Sequence, residues 1–285
     1  MQFSKSGEIK LTTLLIDSYN LIHRARFDWG GGLATARNQI IYNFLKGIKP
    51  ILERFSPDKV YFILDGAPKL RMEAFPEYKA NRKLEGLSDE EVAYWNSFHS
   101  QKRQIISIVK DIFPFKVVSH PDFECDDILN HLACSLPGEK IIISSDTDFI
   151  QTLDLNEQTK LWNPVSQNYR ERIGVDYAKY KAMLGDKTDN IPGVKGIGKV
   201  GAEKLLKDTR IFDQKMKDDS FREQFEKSYF LVKFAEMGDV SSEFSYSEGN
   251  FSREVFKNTL MELGLNSMLT EPYLQNYCAV LERIR

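Results

Sequence analysis

Nine carboxylates fall in five short groups along the chain: Asp17; Asp65; Glu124, Asp126 and Asp127; Asp146 and Asp148; Asp186 and Asp189. Singly, a carboxylate after an apolar run is an ordinary helix N-cap or turn residue. Gathered in one pocket, nine of them repel strongly unless cations neutralise them. Oxygen donors without a Cys or His set suit Mg²⁺ or Mn²⁺. A pair of such ions, typically ~3.5–4 Å apart, activates water and stabilises the leaving oxygen in phosphodiester hydrolysis. The net charge of -2 conceals this division, because setting the nine aside leaves 32 acidic residues against 39 basic ones. A near-neutral total therefore accommodates an acidic pocket in a basic surface, the arrangement for metal ions approached by phosphates.

Three of the groups end short apolar runs. Thr12 to Ile16 leads into Asp17, Val60 to Leu64 into Asp65, and Lys140 to Ser145 into Asp146, while Lys116 to Ser119 precedes Glu124. Continuous apolar runs without alternation predict strands buried on both faces, hence a parallel sheet flanked by helices, with the intervening helices at about 34–54, 89–113 and 126–135. Sites in such sheets form outside the carboxyl ends of the strands, so one acidic edge is predicted. From about residue 175 the segments 175–184, 200–206, 221–234 and 253–263 read as helical. The expected organisation is an α/β domain over 1–180, with a basic gateway at 69–110, and a helical domain over 181–285. SSEFSYSEGNF (241–251) reads as a loop between helices.

Length and composition agree with two lobes: 285 residues, 42% of them hydrophobic and 12% aromatic, supply a sizeable core. The polar N-terminus and the brief run Leu14 to Ile16 offer neither a signal-peptide core nor a membrane span. Cys125, Cys134 and Cys278 show no CxxC spacing, so a disulfide framework and a thiolate zinc site are not expected, and a reducing cytoplasm fits. Cys125 is expected to pack inward. Gly30, Gly31 and Gly32 lack the spacing of a dinucleotide fingerprint, and none of His23, His99, His120 and His131 falls in HExxH.

Two basic segments remain. Gly193 to Lys199 has nearly the GxxxxGK spacing of a P-loop, but Val200 replaces the magnesium-binding Ser/Thr and no strand precedes it. It reads better as the hairpin of a helix-hairpin-helix over about 190–207. There, glycines permit the tight turn, amides at the next helix start meet a phosphate, and Lys195, Lys199 and Lys204 add charge. The connection from Lys69 to Gly86 carries Arg71, Lys79, Arg82 and Lys83 around Phe75 and Tyr78. Lys79 and Arg82 share a face if the segment turns helical. Cations there offset developing negative charge, and an adjacent aromatic suits unpaired bases.

The set LLIDSYN (14–20), FILDGA (62–67), FECDD (123–127), SSDTDF (144–149) and GDKTDNIPGVKGIG (185–198) resembles the metal-dependent 5′-nuclease family. That family includes flap endonucleases, the 5′-nuclease domain of bacterial DNA polymerase I, and the phage ribonuclease H and 5′-exonuclease enzymes. The likeness runs from residue 12 to about 235. SSDTDFIQTL, WNPVSQNY and FPEYKANRK resemble the phage enzymes most, although Ala80 stands where relatives carry Gly. The resemblance implies a PIN-like α/β fold with a helical C-terminal part and two Mg²⁺ ions, replaceable by Mn²⁺, with K⁺ at the hairpin. It assigns the first ion to Asp17, Asp65, Glu124, Asp126 and Asp146, with Asp127 in support. The second falls to Asp148, Asp186 and Asp189, with Asp146 shared. It makes Lys79, Arg82 and Asp146 catalytic, and puts Arg71, Tyr78, Lys79, Arg82, Gly193, Lys195, Gly196, Gly198 and Lys199 on nucleic acid. The implied work is removal of RNA primers and 5′ flaps in DNA replication by 5′-3′ exonuclease, flap endonuclease and RNase H activities. Implied partners are DNA and RNA–DNA duplexes with 5′ flaps or ends, a single-strand-binding protein and a sliding clamp, with no membrane and a monomeric chain. Two other classes stay open: an aspartate-nucleophile phosphatase using the DxD of Asp146 and Asp148, and a DNA-binding factor without turnover.

Overall fold

Thr12–Asp17 (β1) carries Leu14, Leu15 and Ile16 with no exposed surface, and the strands on either side are equally apolar, which places it at the centre of the sheet. The computed structural model describes residues 11–27, 31–82, 86–238 and 243–285. Gly30, Lys83 and the N-terminal MQFSKSGEIK segment lie outside the described residues. After β1 come α1 (Ser18–Arg24), α2 (Gln39–Phe55), β2 (Lys59–Ile63), α3 (Lys69–Ala74), α4 (Asp89–Asp111), β3 (Lys116–Ser119), α5 (Cys125–Ser135) and β4 (Glu139–Ile143). Then follow α6 (Ile150–Leu155), β5 (Thr159–Asn163), β6 (Asn168–Arg170), α7 (Tyr177–Leu184), α8 (Lys199–Lys207), α9 (Thr209–Lys215), α10 (Asp219–Val232), β7 (Ser245–Glu248), α11 (Arg253–Glu262) and α12 (Glu271–Leu281).

The strand order is β6-β5-β4-β1-β2-β3-β7. The five central strands run parallel, and β6 and β7 close the two edges antiparallel. The register sets Ile16 beside both Phe62 and Ile143. The chain therefore leaves β1, β2 and β4 at nearly one level, and Asp17, Asp65 and Asp146 emerge on the same edge. One face of the sheet packs Leu14, Ile16, Phe62 and Ile143 against α2 and α4; the other packs Leu15, Ile63 and Ile142 against α5 and α6. Among the described residues no helix is long and apolar enough to cross a membrane.

The division at residue 180 needs correction. A helical unit does form around Ala182, Met183, Val194, Ala202, Leu205, Phe221 and Phe225, built by α7, α8 and α10. The chain then returns: β7 pairs with β3, and Phe256, Leu260, Tyr277 and Leu281 enter the same core as β1 and β2. The Tyr277 hydroxyl donates to the Leu45 carbonyl at 2.8 Å. The presumed loop 241–251 thus contains an edge strand. Ser-Tyr-Ser-Glu has no apolar alternation because none of its residues is buried. WNPVSQNY likewise holds the turn between β5 and β6. Truncating a fully buried aromatic costs about 3–5 kcal/mol. Phe256→Ala is therefore expected to lower the stability of the whole α/β unit by about that amount, read as one shifted transition in urea rather than loss of a separate lobe.

Candidate metal centre

Asp17 ends β1 and also caps α1: its Oδ1 accepts the Asn20 amide at 3.0 Å and its Oδ2 accepts the Ser144 hydroxyl at 2.7 Å. The N-cap reading and the site reading both hold for this residue. Asp65 stays open to solvent and accepts the Cys125 amide at 2.8 Å, at the first turn of α5. The chain around it is close-set, because a Cβ on Gly66 would lie 1.9 Å from the His120 carbonyl oxygen. The Asp146 amide receives support from the Ser144 hydroxyl at 3.0 Å, and Asp146 Oδ1 accepts the Asp148 amide at 2.8 Å. Asp126 lies on the first turn of α5, where the helix dipole favours an anion.

Asp186 and Asp189 follow α7, in a loop pinned by paired backbone bonds between Asp186 and Ile191 at 2.9 and 2.7 Å. The gateway holds that loop. Lys79 adopts a left-handed backbone, φ 57°, and its amide donates to the Asp189 carbonyl at 3.0 Å. Asn81 Nδ2 donates to the Lys187 carbonyl, and Asn190 Nδ2 to the Glu77 carbonyl, both at 2.7 Å. The Lys79 ammonium pairs with Glu124 and lies 3.7 Å from Asp189, which also pairs with Arg82. Lys79 and Arg82 thus stand at the rim of the acidic edge. The turn is a 3₁₀ helix, Ala80–Arg82.

Other expected residues sit elsewhere. Arg71 is 6% exposed, with its guanidinium committed to Asp127 at 2.7 and 2.8 Å, to Glu124 at 3.0 Å, and to the carbonyls of Leu231 and Lys233. It is a buried strut, not a surface for nucleic acid. Asp127, 1% exposed, gives both oxygens to Arg71 and one also to the Ala235 amide, so it supports Glu124 through Arg71 rather than facing an ion. Tyr78 is buried as well and donates its hydroxyl to Glu124 at 3.1 Å, which removes its ring from base stacking in this conformation. Gly193 is buried against Gly185, where a Cβ would lie 2.6 Å from the Gly185 nitrogen, and its amide goes to the Ser228 hydroxyl. It shapes the hairpin. Lys195, Gly196, Gly198 and Lys199 are exposed at the start of α8.

Three participants had escaped the sequence reading. Ser144 and Asn20 orient Asp17 and the Asp146 loop, and Lys181 of α7 bonds both Asp148 at 2.8 Å and Asp186 at 2.9 Å. Lys181 lies five residues before Asp186, a spacing that a search for cations near each carboxylate would have found.

Burial pushes the Asp17 carboxyl up to about 7, against the bonds from Ser144 and Asn20 and with repulsion from Asp146 and Asp65. Burial also raises Asp126 well above the usual range, with repulsion from Asp17, Asp146 and Asp65, and Asp148 rises to about 6 with repulsion from Asp146. Among the described residues no three such groups close into a ready metal cage. The donor set is nonetheless all oxygen and mutually repelling, which fits a hard cation that keeps several waters and touches one or two carboxylates. Aspartates titrate near 3.9 in the unfolded chain. Between about pH 4 and 7 the metal-free folded state therefore holds protons that the unfolded state has lost, and its stability falls as pH rises. Melting in EDTA is expected to drop from pH 5 to pH 8, and added Mg²⁺ to raise the melting temperature more at pH 8 than at pH 5. Removing one partner of a buried pair costs about 3–5 kcal/mol, so Arg71→Met should destabilise by that order in denaturant melts.

Residues 12–183 match the family model of the 5′-3′ exonuclease N-terminal, resolvase-like domain. In sequence the chain is similar to DNA polymerase I of Caldicellulosiruptor bescii, 30% identical over 218 residues, which are 68% of this chain and 24% of that protein. It thus spans about a quarter of the length of that relative. It is also similar to a 5′-3′ exonuclease of Mycoplasmopsis pulmonis, 27% identical over 253 residues, 81% of this chain and 82% of that one. Its fold matches the bacteriophage T5 flap endonuclease solved as a pseudo-enzyme-product complex with DNA and metal ions, at TM-score 0.62 and 18% identity over 95% of this chain and 98% of that one. With the parallel sheet, its acidic edge and well over half of the sequence in agreement, the chain belongs to the 5′-3′ exonuclease family.

Proposed function

We propose that the chain is a structure-specific 5′-nuclease that hydrolyses phosphodiesters with two divalent ions at the acidic sheet edge. Its substrates are DNA and RNA–DNA duplexes carrying 5′ ends or flaps, and its activities are 5′-3′ exonuclease, flap endonuclease and RNase H, suited to clearing primers and flaps in replication. The observation that carries this reading is the convergence of Asp17, Asp126, Asp146 and Asp148 on one sheet edge, where burial and the charge of Asp146 raise the other three, beside the cations Lys79 and Arg82. The T5 relative, solved with DNA and metal ions, shares the fold.

Asp17, Asp65, Glu124, Asp126 and Asp146 would hold one ion, and Asp148, Asp186 and Asp189 the other. Mg²⁺ suits the oxygen-only set, and Mn²⁺ can substitute. Bound there, such ions lower the pKa of water and polarise the phosphate. Lys79 and Arg82 meet the phosphate at the rim, trading carboxylate partners for phosphate oxygens of the same geometry. Arg71 and Tyr78 keep Glu124 aimed. The exposed start of α8, with Lys195, Gly196, Gly198 and Lys199, offers amides and charge to a duplex phosphate without reading bases.

A 5′-labelled flap and an RNA–DNA hybrid, incubated with Mg²⁺ or EDTA, test this. Short 5′ fragments are expected with Mg²⁺ only. Asp146→Asn should slow their release by at least about a hundredfold while gel-shift binding of the flap persists. Tight binding without cleavage in any divalent metal, by folded protein, would overturn the nuclease in favour of a binding factor.

A further inference from the structure

The carboxylates of the acidic edge divide by what touches them. Asp17, Asp65 and Asp146 accept hydrogen bonds from the Ser144 hydroxyl and from the amides of Asn20, Cys125 and Asp148. Among the described residues no lysine or arginine pairs with these three or with Asp126. Asp148, Asp186 and Asp189 are each ion-paired. Lys79 and Arg82, which pair with Asp189, belong to the gateway loop. Lys181 is different. It rises from α7, whose Ala178, Ala182 and Met183 are buried, its side chain is only 17% exposed, and its ammonium bridges Asp148 Oδ1 at 2.8 Å and Asp186 Oδ2 at 2.9 Å. Burial works against its charge, yet the Asp148 and Asp186 carboxylates outweigh burial and keep it protonated well above the ordinary lysine range.

We propose that Lys181 is a resident counter-cation of the second carboxylate group, competing with a divalent ion for Asp148 and Asp186 and thereby making the second ion of the function proposed above bind more weakly than the first. The same lone pairs cannot serve an ammonium and a metal ion together. Either Lys181 gives up two charge-assisted bonds, or the ion binds beside a fixed positive charge. Of the first ion's carboxylates only Glu124 is ion-paired, to Arg71 and Lys79; Asp17, Asp65, Asp126 and Asp146 meet no such competitor among the described residues. A lysine that merely stapled α7 to the Asp148 loop would act in the opposite sense, because removing it would loosen both carboxylates and weaken metal binding.

The two roles separate in a Mn²⁺ titration of the full chain, with free Mn²⁺ read by electron paramagnetic resonance and no substrate present. Wild type is expected to show one tight and one weaker ion. Lys181→Met should tighten the weaker ion by about tenfold or more, as removal of a unit charge at contact range predicts, or reveal a second ion where wild type shows one. The tight ion should be unchanged, and Lys181→Arg should behave as wild type. Lys181→Gln serves if the Met variant does not fold. A weaker second ion, or an unchanged one, in the neutral variants overturns the proposal, as does equal affinity for both ions in wild type. Failure of the nuclease reading is a separate result, since it shows as intact flaps in the cleavage assay while the titration needs no cleavage.

Discussion

Repulsion among carboxylates at one edge of a parallel sheet is the constraint that the rest of this molecule answers. β1, β2 and β4 end nearly level, so the acidic residues that follow them cannot avoid one another. Each is tolerated by a different device: a hydroxyl and a helix-start amide for Asp17, the first turn of α5 for Asp65 and Asp126, and lysine or arginine for Glu124, Asp127, Asp148, Asp186 and Asp189. Two of the members without a cation, Asp17 and Asp126, have carboxyls that burial and their neighbours' charge drive well above the usual range. Charge left over in this way is what a divalent ion can use.

The gateway answers the same need. Three cations reach the edge, Lys79 and Arg82 together on the gateway turn and Lys181 from α7. That turn is not free to wander. It is tied by backbone and amide bonds to the loop that carries Asp186 and Asp189, so one segment delivers cations while holding the carboxylates they face. The left-handed backbone of Lys79, uncommon outside glycine, marks where this tie is made. Arg71 extends the link inward, joining the start of α5 to the carbonyls at the end of α10, so that the helical unit and the acidic edge are braced by one buried guanidinium.

The C-terminal segment plays a quieter part. β7 covers the β3 edge of the sheet, and α11 and α12 fill the layer beneath it with Phe256, Leu260 and Tyr277. A strand edge left bare would invite pairing with other chains, and here β7 closes it without contributing a buried side chain of its own. The helical unit of α7, α8 and α10 thus lies in the chain between elements that share the core of the sheet.

The parallel sheet and its acidic edge were legible in the sequence, because they depend on local patterns: apolar runs stopped by aspartate, and helical periodicity between them. The helix expected at about 89–113 forms as α4, where Ser88 and Glu91 cap each other at three-residue spacing. What escaped was of another kind. β6 and β7 are too short or too exposed to carry a pattern, β5 holds only Leu161 and Trp162 as apolar residues although four of its five are buried, and α12 gave no sign that Tyr277 would enter the core of β1. Residue types alone marked Arg71, Tyr78, Lys79 and Arg82 as one basic and aromatic set, yet the fold buries the first two behind Glu124 and leaves the others at the rim. Sequence by itself determined that the aspartates closing β1, β2 and β4 would share one edge, since strand register is set by local apolar burial; that Asp127 turns away to Arg71 was not legible. Apart from Lys181 and Asp186, five residues apart, only the tertiary structure decided which cation answers which carboxylate, because pairs such as Arg71–Asp127, Arg82–Asp189 and Lys181–Asp148 form across 33 to 107 residues of chain and depend on where whole elements pack.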